Sequence, residues 1–98
     1  MNRDKIVVTG VGAVAPNGNN IKEFWESLKQ GISGISPISY FNTDDHKVKI
    51  AGELKGFSPD KVLDHKEMRK LDPFSIYAIV ATNEAMEMSG LDNQNFDY

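Results

Sequence analysis

Two groups of residues in this chain have types and spacings that could do chemistry. The first is Gly10-Val11-Gly12-Ala13-Val14-Ala15, which satisfies G-x-G-x-x-[GA] and follows the apolar run Ile6-Val7-Val8. After a strand, such a turn can bring backbone N–H groups and a helix N-terminus against a pyrophosphate. The second is Lys66, Arg69 and Lys70, at i, i+3 and i+4. On a helix that spacing sets three cations within about 100° of one face. Such a face can meet a phosphate or an acidic protein, Arg through a planar fork and Lys as a point charge. A solvated surface is the plainer use of the same charges.

The glycine run does not complete a dinucleotide site. Its helix should begin directly after the turn, but Ala15-Pro16-Asn17-Gly18-Asn19 intervenes and delays it to Ile21. The fingerprint also needs an acidic residue about 20 positions further on, and Gly31 to Tyr40 contains no Asp or Glu. The sequence therefore predicts that Gly10 and Gly12 let the first strand pass close to neighbouring backbone.

No other constellation supports catalysis. The 98 residues contain no cysteine, which excludes disulfides, thiolate metal sites and a cysteine nucleophile within this chain. His46 and His65 are too far apart in sequence to pair locally on a metal and read as surface or turn residues. Ser27, Ser33 and Ser36 have no neighbouring base, and Asp72 reads as a helix cap. We expect no catalytic residue, no metal site and no bound cofactor.

The elements that position these groups follow from periodicity and caps. Lys5–Thr9 reads as a strand continuing toward Val14, with both faces covered because Val7 and Val8 are β-branched neighbours. A helix runs from Ile21 to a stop at Gly31, with Asn20 as cap and Glu23 completing a capping box. Its apolar face is Ile21, Phe24, Trp25 and Leu28, and Trp25 reads as packing. Gly31–Pro37 is an irregular connection, and Asn42–Asp45 is a polar turn. Val48, Ile50, Gly52 and Leu54 alternate with Lys47, Lys49, Ala51 and Glu53, the period of a peripheral strand with one face in water. Ser58-Pro59-Asp60 starts a short helical segment. Asp72-Pro73 starts a long helix that reaches Ser89 and stops at Gly90, with Tyr77 on its packing side.

That last helix defines the architecture. Phe74, Ile76, Tyr77, Ala78, Ile79, Val80 and Ala81 make its first half apolar almost all the way round. Such a helix belongs inside a body larger than two strands and one amphipathic helix can supply. The chain reads as residues 1–98 of one larger domain without an internal boundary, and Asn95–Tyr98 has none of the marks of a domain end. A net charge of −3 provides no global field for nucleic acid or an anionic membrane. No apolar run approaches a bilayer span, and no signal-peptide pattern opens the chain. We expect a soluble cytoplasmic protein.

With these residues assembled, a resemblance is visible. KIVVTGVGAVAPNGNN, IKEFWESLKQG, SGISPISYFNTDD, VKIAGELKGF and HKEMRKLDPFSIYAIVATNEAM, in that order, resemble the N-terminal portion of the bacterial β-ketoacyl-acyl-carrier-protein synthase II family. These are condensing enzymes of fatty acid elongation. The resemblance covers Lys5 to about Leu91. Leu71 and Pro73 stand where other members often have Met and Ala, and both suit a helix start. The resemblance implies a thiolase-like fold of layered α/β halves, of which this chain is an incomplete N-terminal part. It implies a glycine run in the first core strand and its exit loop, and Pro73–Ser89 in the interior.

It also implies an acidic acyl carrier protein as partner, docked at positions matching Lys66, Arg69 and Lys70, with phosphopantetheine arriving on that carrier. The parent would be a homodimer. Its decarboxylative condensation uses a cysteine and two histidines that match no position here, so the chain alone is expected to be inactive. Two other readings remain. One is a non-enzymatic carrier-binding module that folds alone, and the other is a polyketide-type ketosynthase or its cysteine-less partner subunit.

Overall fold

Asn20 and Gly31 bound the first helix as their chemistry dictates. The structure, a computed structural model, describes residues 4–91; Asn95–Tyr98 lies outside the described residues. Helix α1, Ile21–Gln30, starts at Asn20, whose backbone is extended and whose Oδ1 accepts the Glu23 N–H at 2.9 Å. The Glu23 carboxylate turns back not to the Asn20 N–H of an ideal capping box but to the Asn19 N–H one residue earlier, at 3.1 Å. At the other end Gly31 adopts φ 70°, a left-handed conformation that glycine reaches without steric penalty. Its N–H donates to Leu28 at 3.2 Å, and the Ile32 N–H donates to Ser27 at 2.8 Å.

The inner face of α1 runs through Ile21, Phe24 and Ser27. Trp25, expected to pack, is 58% exposed. It lies on the flank of the apolar stripe that no described element covers.

Two short strands follow, β1 (Ile35–Pro37) and β2 (Ile50–Gly52). They pair antiparallel with Ile35 opposite Gly52, Ser36 opposite Ala51 and Pro37 opposite Ile50. One further bond, Ile38 N–H to Lys49 at 2.9 Å, extends the ribbon. The Asn42–Asp45 turn is present: the His46 N–H donates to Thr43 and the Asp44 N–H to the Asn42 side chain. Alternation in β2 misleads about its faces. Val48 and Ile50 are exposed, whereas Glu53 is buried.

Ser58-Pro59-Asp60 forms one turn and not a helix. Val62 and Leu63 both donate to the Pro59 carbonyl, while the Ser58 hydroxyl is spent on the Asp60 carboxylate at 3.0 Å and caps nothing. Helix α2, His65–Met68, and helix α3, Pro73–Ser89, complete the order. Gly90 closes α3 at φ 69°. On its half-buried side, Tyr77 packs edge-on against Phe57, centroids 5.3 Å apart at 84°.

The largest departure from expectation is at the N-terminal run. Residues 4–14 form no strand ladder, and Ile6 and Val8 are 97% and 82% exposed. A doubly covered strand needs neighbours on both edges, and the described residues supply none. The run lies instead against α3. A Cβ on Gly10 would overlap the Ala85 carbonyl oxygen, and one on Gly12 that of Ala81. The close approach required by the two glycines is therefore real, with a helix backbone as the surface approached.

Little of this chain is a core. Among the described hydrophobic residues only Leu63 is buried. The radius of gyration is 17.5 Å, against about 13 Å for a compact domain of similar length. The apolar circumference of α3 stays partly uncovered, with Phe74, Ile79, Met86 and Met88 exposed.

Candidate functional site

The three cations sit on the connection between α2 and α3. Asp64 opens α2 by accepting the Glu67 N–H at 2.7 Å. The helix holds four residues, so of the three only Lys66 lies within it. Arg69 is its C-cap, still in right-handed helical conformation with its N–H on His65 at 3.2 Å. Lys70 and Leu71 continue as a tightening turn, bonded to Glu67 and Met68 three residues back.

The single helical face expected of Lys66, Arg69 and Lys70 is thus corrected to a face that spans a helix and the turn after it. The cause is Pro73. A residue before proline is driven out of helical backbone, and Asp72 accordingly sits at φ −74°, ψ 154°. The helix must end before it.

Lys66, Arg69 and Lys70 are all exposed. Among the described residues the ion pair is Lys29–Glu26 at 2.8 Å on α1, and none involves these three. They present their charge to solvent. Asp72 supplies the start of α3 through its carbonyl, which accepts from Ser75 at 3.0 Å and Ile76 at 3.2 Å. The Asp72 carboxylate makes no capping bond.

Sequence reasoning missed two carboxylates. Glu84 of α3 accepts the Ala13 N–H at 3.0 Å and the Ile21 N–H at 3.1 Å. It ties the glycine run to the start of α1. A phosphate seeking that helix N-terminus would meet the Glu84 and Glu23 carboxylates on the same donors, which argues against anion binding there on charge alone. Glu53 is the other. It accepts the Ser39 N–H and hydroxyl, each at 2.9 Å, and the Tyr40 N–H at 3.2 Å. The Ser39 N–H foremost, with its hydroxyl, the Tyr40 N–H and Lys55 assisting, holds the Glu53 carboxyl below the usual range, against the opposing effect of burial. A carboxylate so well solvated by donors is a poor general base, so Ser39–Glu53 pins a loop and activates no nucleophile.

The remaining candidates are structural. The Ser27 hydroxyl donates to the Asn17 carbonyl at 2.6 Å, and that of Ser33 accepts from Ile35. His46 rests edge-on against Phe41 at 5.4 Å. Among the described residues no three His, Cys, Asp or Glu gather as metal ligands. No described helix is long and apolar enough to cross a membrane.

Comparison with known proteins agrees with this frame. Residues 3–98 match the family described as beta-ketoacyl synthase, N-terminal domain. The 3-oxoacyl-(acyl-carrier-protein) synthase 2 of Staphylococcus aureus (strain COL) is 44% identical over 93% of this chain. The protein of the same name from Coxiella burnetii is 39% identical over 94% of it. The chain spans 22% of the length of each. Two solved structures are similar. The ishigamide ketosynthase/chain length factor has a TM-score of 0.78 at 27% identity, covering 91% of this chain and 23% of its own. A type II PKS acyl-carrier protein in complex with its ketosynthase has a TM-score of 0.66 at 32% identity, covering 93% and 23%.

Proposed function

We propose, from the premise that this chain belongs to the family of β-ketoacyl synthase N-terminal domains, that it is the N-terminal part of a condensing enzyme of fatty acid elongation. The parent would join an acyl group held on the enzyme to malonyl-carrier protein, giving 3-oxoacyl-carrier protein, carbon dioxide and free carrier. The observation that carries this reading is the 44% identity to a 3-oxoacyl-(acyl-carrier-protein) synthase 2 across 93% of the chain. A thiolase-like layered body, assembled as a homodimer in the cytoplasm, would cover the apolar sides of α3 and the run Ile6–Val8.

In this reading Lys66, Arg69 and Lys70 receive an acidic carrier protein. Exposed cations with no ion-pair partner among the described residues, on a short helix and its turn, suit that task, since rim charges steer encounter and fix register. The carrier brings its own phosphopantetheine, and the chain needs no resident cofactor. The 98 residues hold no thiol to carry an acyl thioester, so the chain alone does not condense.

The test is a condensation assay on the full-length parent with acyl- and malonyl-carrier protein. A single 3-oxoacyl product is expected, and the chain of residues 1–98 should yield none. A second reading is favoured by the two structural neighbours, a ketosynthase/chain length factor and a polyketide ketosynthase complex. A parent of that kind would release an iterated poly-β-keto chain, or nothing without its partner subunit. The self-sufficient carrier-binding module is the weakest reading, because among the described residues Leu63 is the one buried hydrophobic residue, a poor core for an independent fold.

A further inference from the structure

We infer that the carbonyl oxygens of Pro16, Gly34 and Glu53 form a cage for a small organic cation. Its resident is the protein's own Lys55 ammonium, and a free alkylammonium ion can take that place. Three segments meet there: the exit of the glycine run, the connection after α1, and the end of β2. The Lys55 Nζ donates to Gly34 at 3.0 Å and to Glu53 at 3.2 Å, with Pro16 a longer third acceptor at 3.5 Å. An ammonium has three donors and no acceptor, so its inventory matches a site made of three carbonyls.

The backbone builds this cage. A Cβ on Gly34 would lie 2.6 Å from the Pro16 side chain and 2.9 Å from the Asn17 nitrogen, and one on Gly52 would lie 2.9 Å from Pro16. Two glycines therefore let the Pro16 segment press against the end of the β1–β2 ribbon. The pairing of Ile35 with Gly52 would next set Gly34 opposite Glu53. Among the described residues no backbone bond joins those two, and both carbonyls accept from Lys55 instead. Oxygen ends of converging carbonyls repel one another, and a cation between them turns that repulsion into attraction. The frame also has a tether of its own. The Lys55 carbonyl accepts the Asn19 side-chain amide at 2.8 Å, which holds the backbone of residue 55 in place when its side chain is cut back. Truncation to alanine removes Cγ, Cδ, Cε and Nζ, the heavy atoms of propylammonium. That ion matches the resulting gap in shape, charge and donors.

The test melts the full-length parent in matched chloride salts. In tetramethylammonium, which carries the charge without an N–H, Lys55→Ala should lower Tm by about 4 °C. Propylammonium should restore most of that loss and saturate, with half-saturation at about 1–100 mM. Should the alanine variant show no transition in tetramethylammonium, one must appear in propylammonium. Lys55→Gln keeps N–H donors in the cage, so it should melt between the wild type and Lys55→Ala and ignore propylammonium. An unchanged Tm for Lys55→Ala overturns the proposal. So does a loss that propylammonium relieves no better than tetramethylammonium. An equal response of the wild type or of Lys55→Gln marks a bulk salt effect and overturns it too. The readout is a melt, so the outcome is independent of the condensation assay.

Discussion

The Glu84 carboxylate accepts the Ile21 backbone N–H at 3.1 Å, across 63 positions of sequence. The same carboxylate takes the Ala13 N–H at 3.0 Å. One side chain of α3 therefore fixes both the end of the glycine run and the first turn of α1. Glu84→Ala in the parent should leave two part-buried donors without a protein partner and lower stability by about 1–3 kcal/mol. Glu84→Gln keeps an acceptor oxygen and should lose less. Denaturant midpoints for the two variants check this, and equal losses would remove hydrogen bonding as the cause.

Gly12 lies where any side chain meets the Ala81 carbonyl. Gly12→Ala in the parent should be destabilised by about 3 kcal/mol, the upper end of overpacking, since helix backbone yields less than a side chain does. A thermal melt reads the change. Gly31→Ala makes a useful contrast, because a Cβ there touches nothing and only the left-handed backbone at φ 70° resists it. Its loss should be about 1 kcal/mol.

Glu53 gives the fold an acid-sensitive joint. Its pKa is depressed, chiefly by the Ser39 N–H. The stability it contributes is therefore complete above the unfolded carboxylate pKa and is lost as pH falls through the lower folded value. Protection of the Ser39 and Tyr40 amides, measured against their intrinsic exchange rates, should fall on acidification from about pH 6 to about pH 3. Glu53→Gln should show low protection at both ends of that range. A wild-type rate that follows only the intrinsic pH dependence of exchange would dissociate the joint from Glu53.

Charge reversal at the docking face gives a kinetic signature. Lys66→Glu with Arg69→Glu in the parent should raise KM for carrier-bound substrates on the order of tenfold, about 1.4 kcal/mol. Small thioester analogues, which touch no docking face, should keep their KM. Equal effects on both substrate types would take these cations out of docking.

The chain by itself should not melt cooperatively. With Leu63 as its buried hydrophobic residue, residues 1–98 should bind an apolar dye and show no near-ultraviolet signature of fixed aromatics. A sharp two-state transition of the isolated chain would revive the independent module.

Local signals were legible in the sequence and distant ones were not. Asn20 and Gly31 delimit α1, and Asp72-Pro73 and Gly90 delimit α3, because a cap or a positive φ is decided by the residue that occupies it. Gly10 and Gly12 announced a close approach but could not name its surface, since Ala81 and Ala85 lie some 70 residues away. The alternation at Val48–Leu54 gave a strand but the wrong interior. Glu53 is buried by donors from Ser39 and Tyr40, on the other side of the hairpin turn, which a period of two does not encode. The cations were legible as a cluster. Their arrangement on one helix was not, because α2 gives way after Met68 to a turn that runs to Leu71. Glu84 resembled an ordinary polar position of an apolar helix and gave no signal at all.

The seating of the glycine run on α3 also sets a timetable for synthesis. Val11 is bonded to Met88, 77 residues later. At about 5–20 residues per second, roughly 4–15 s separate the emergence of the two from the ribosome. Throughout that interval residues 10–13 have no helix to lie on. The contacts of the glycine run are therefore among the last of those described to form, because the surface it seats on is made long after it.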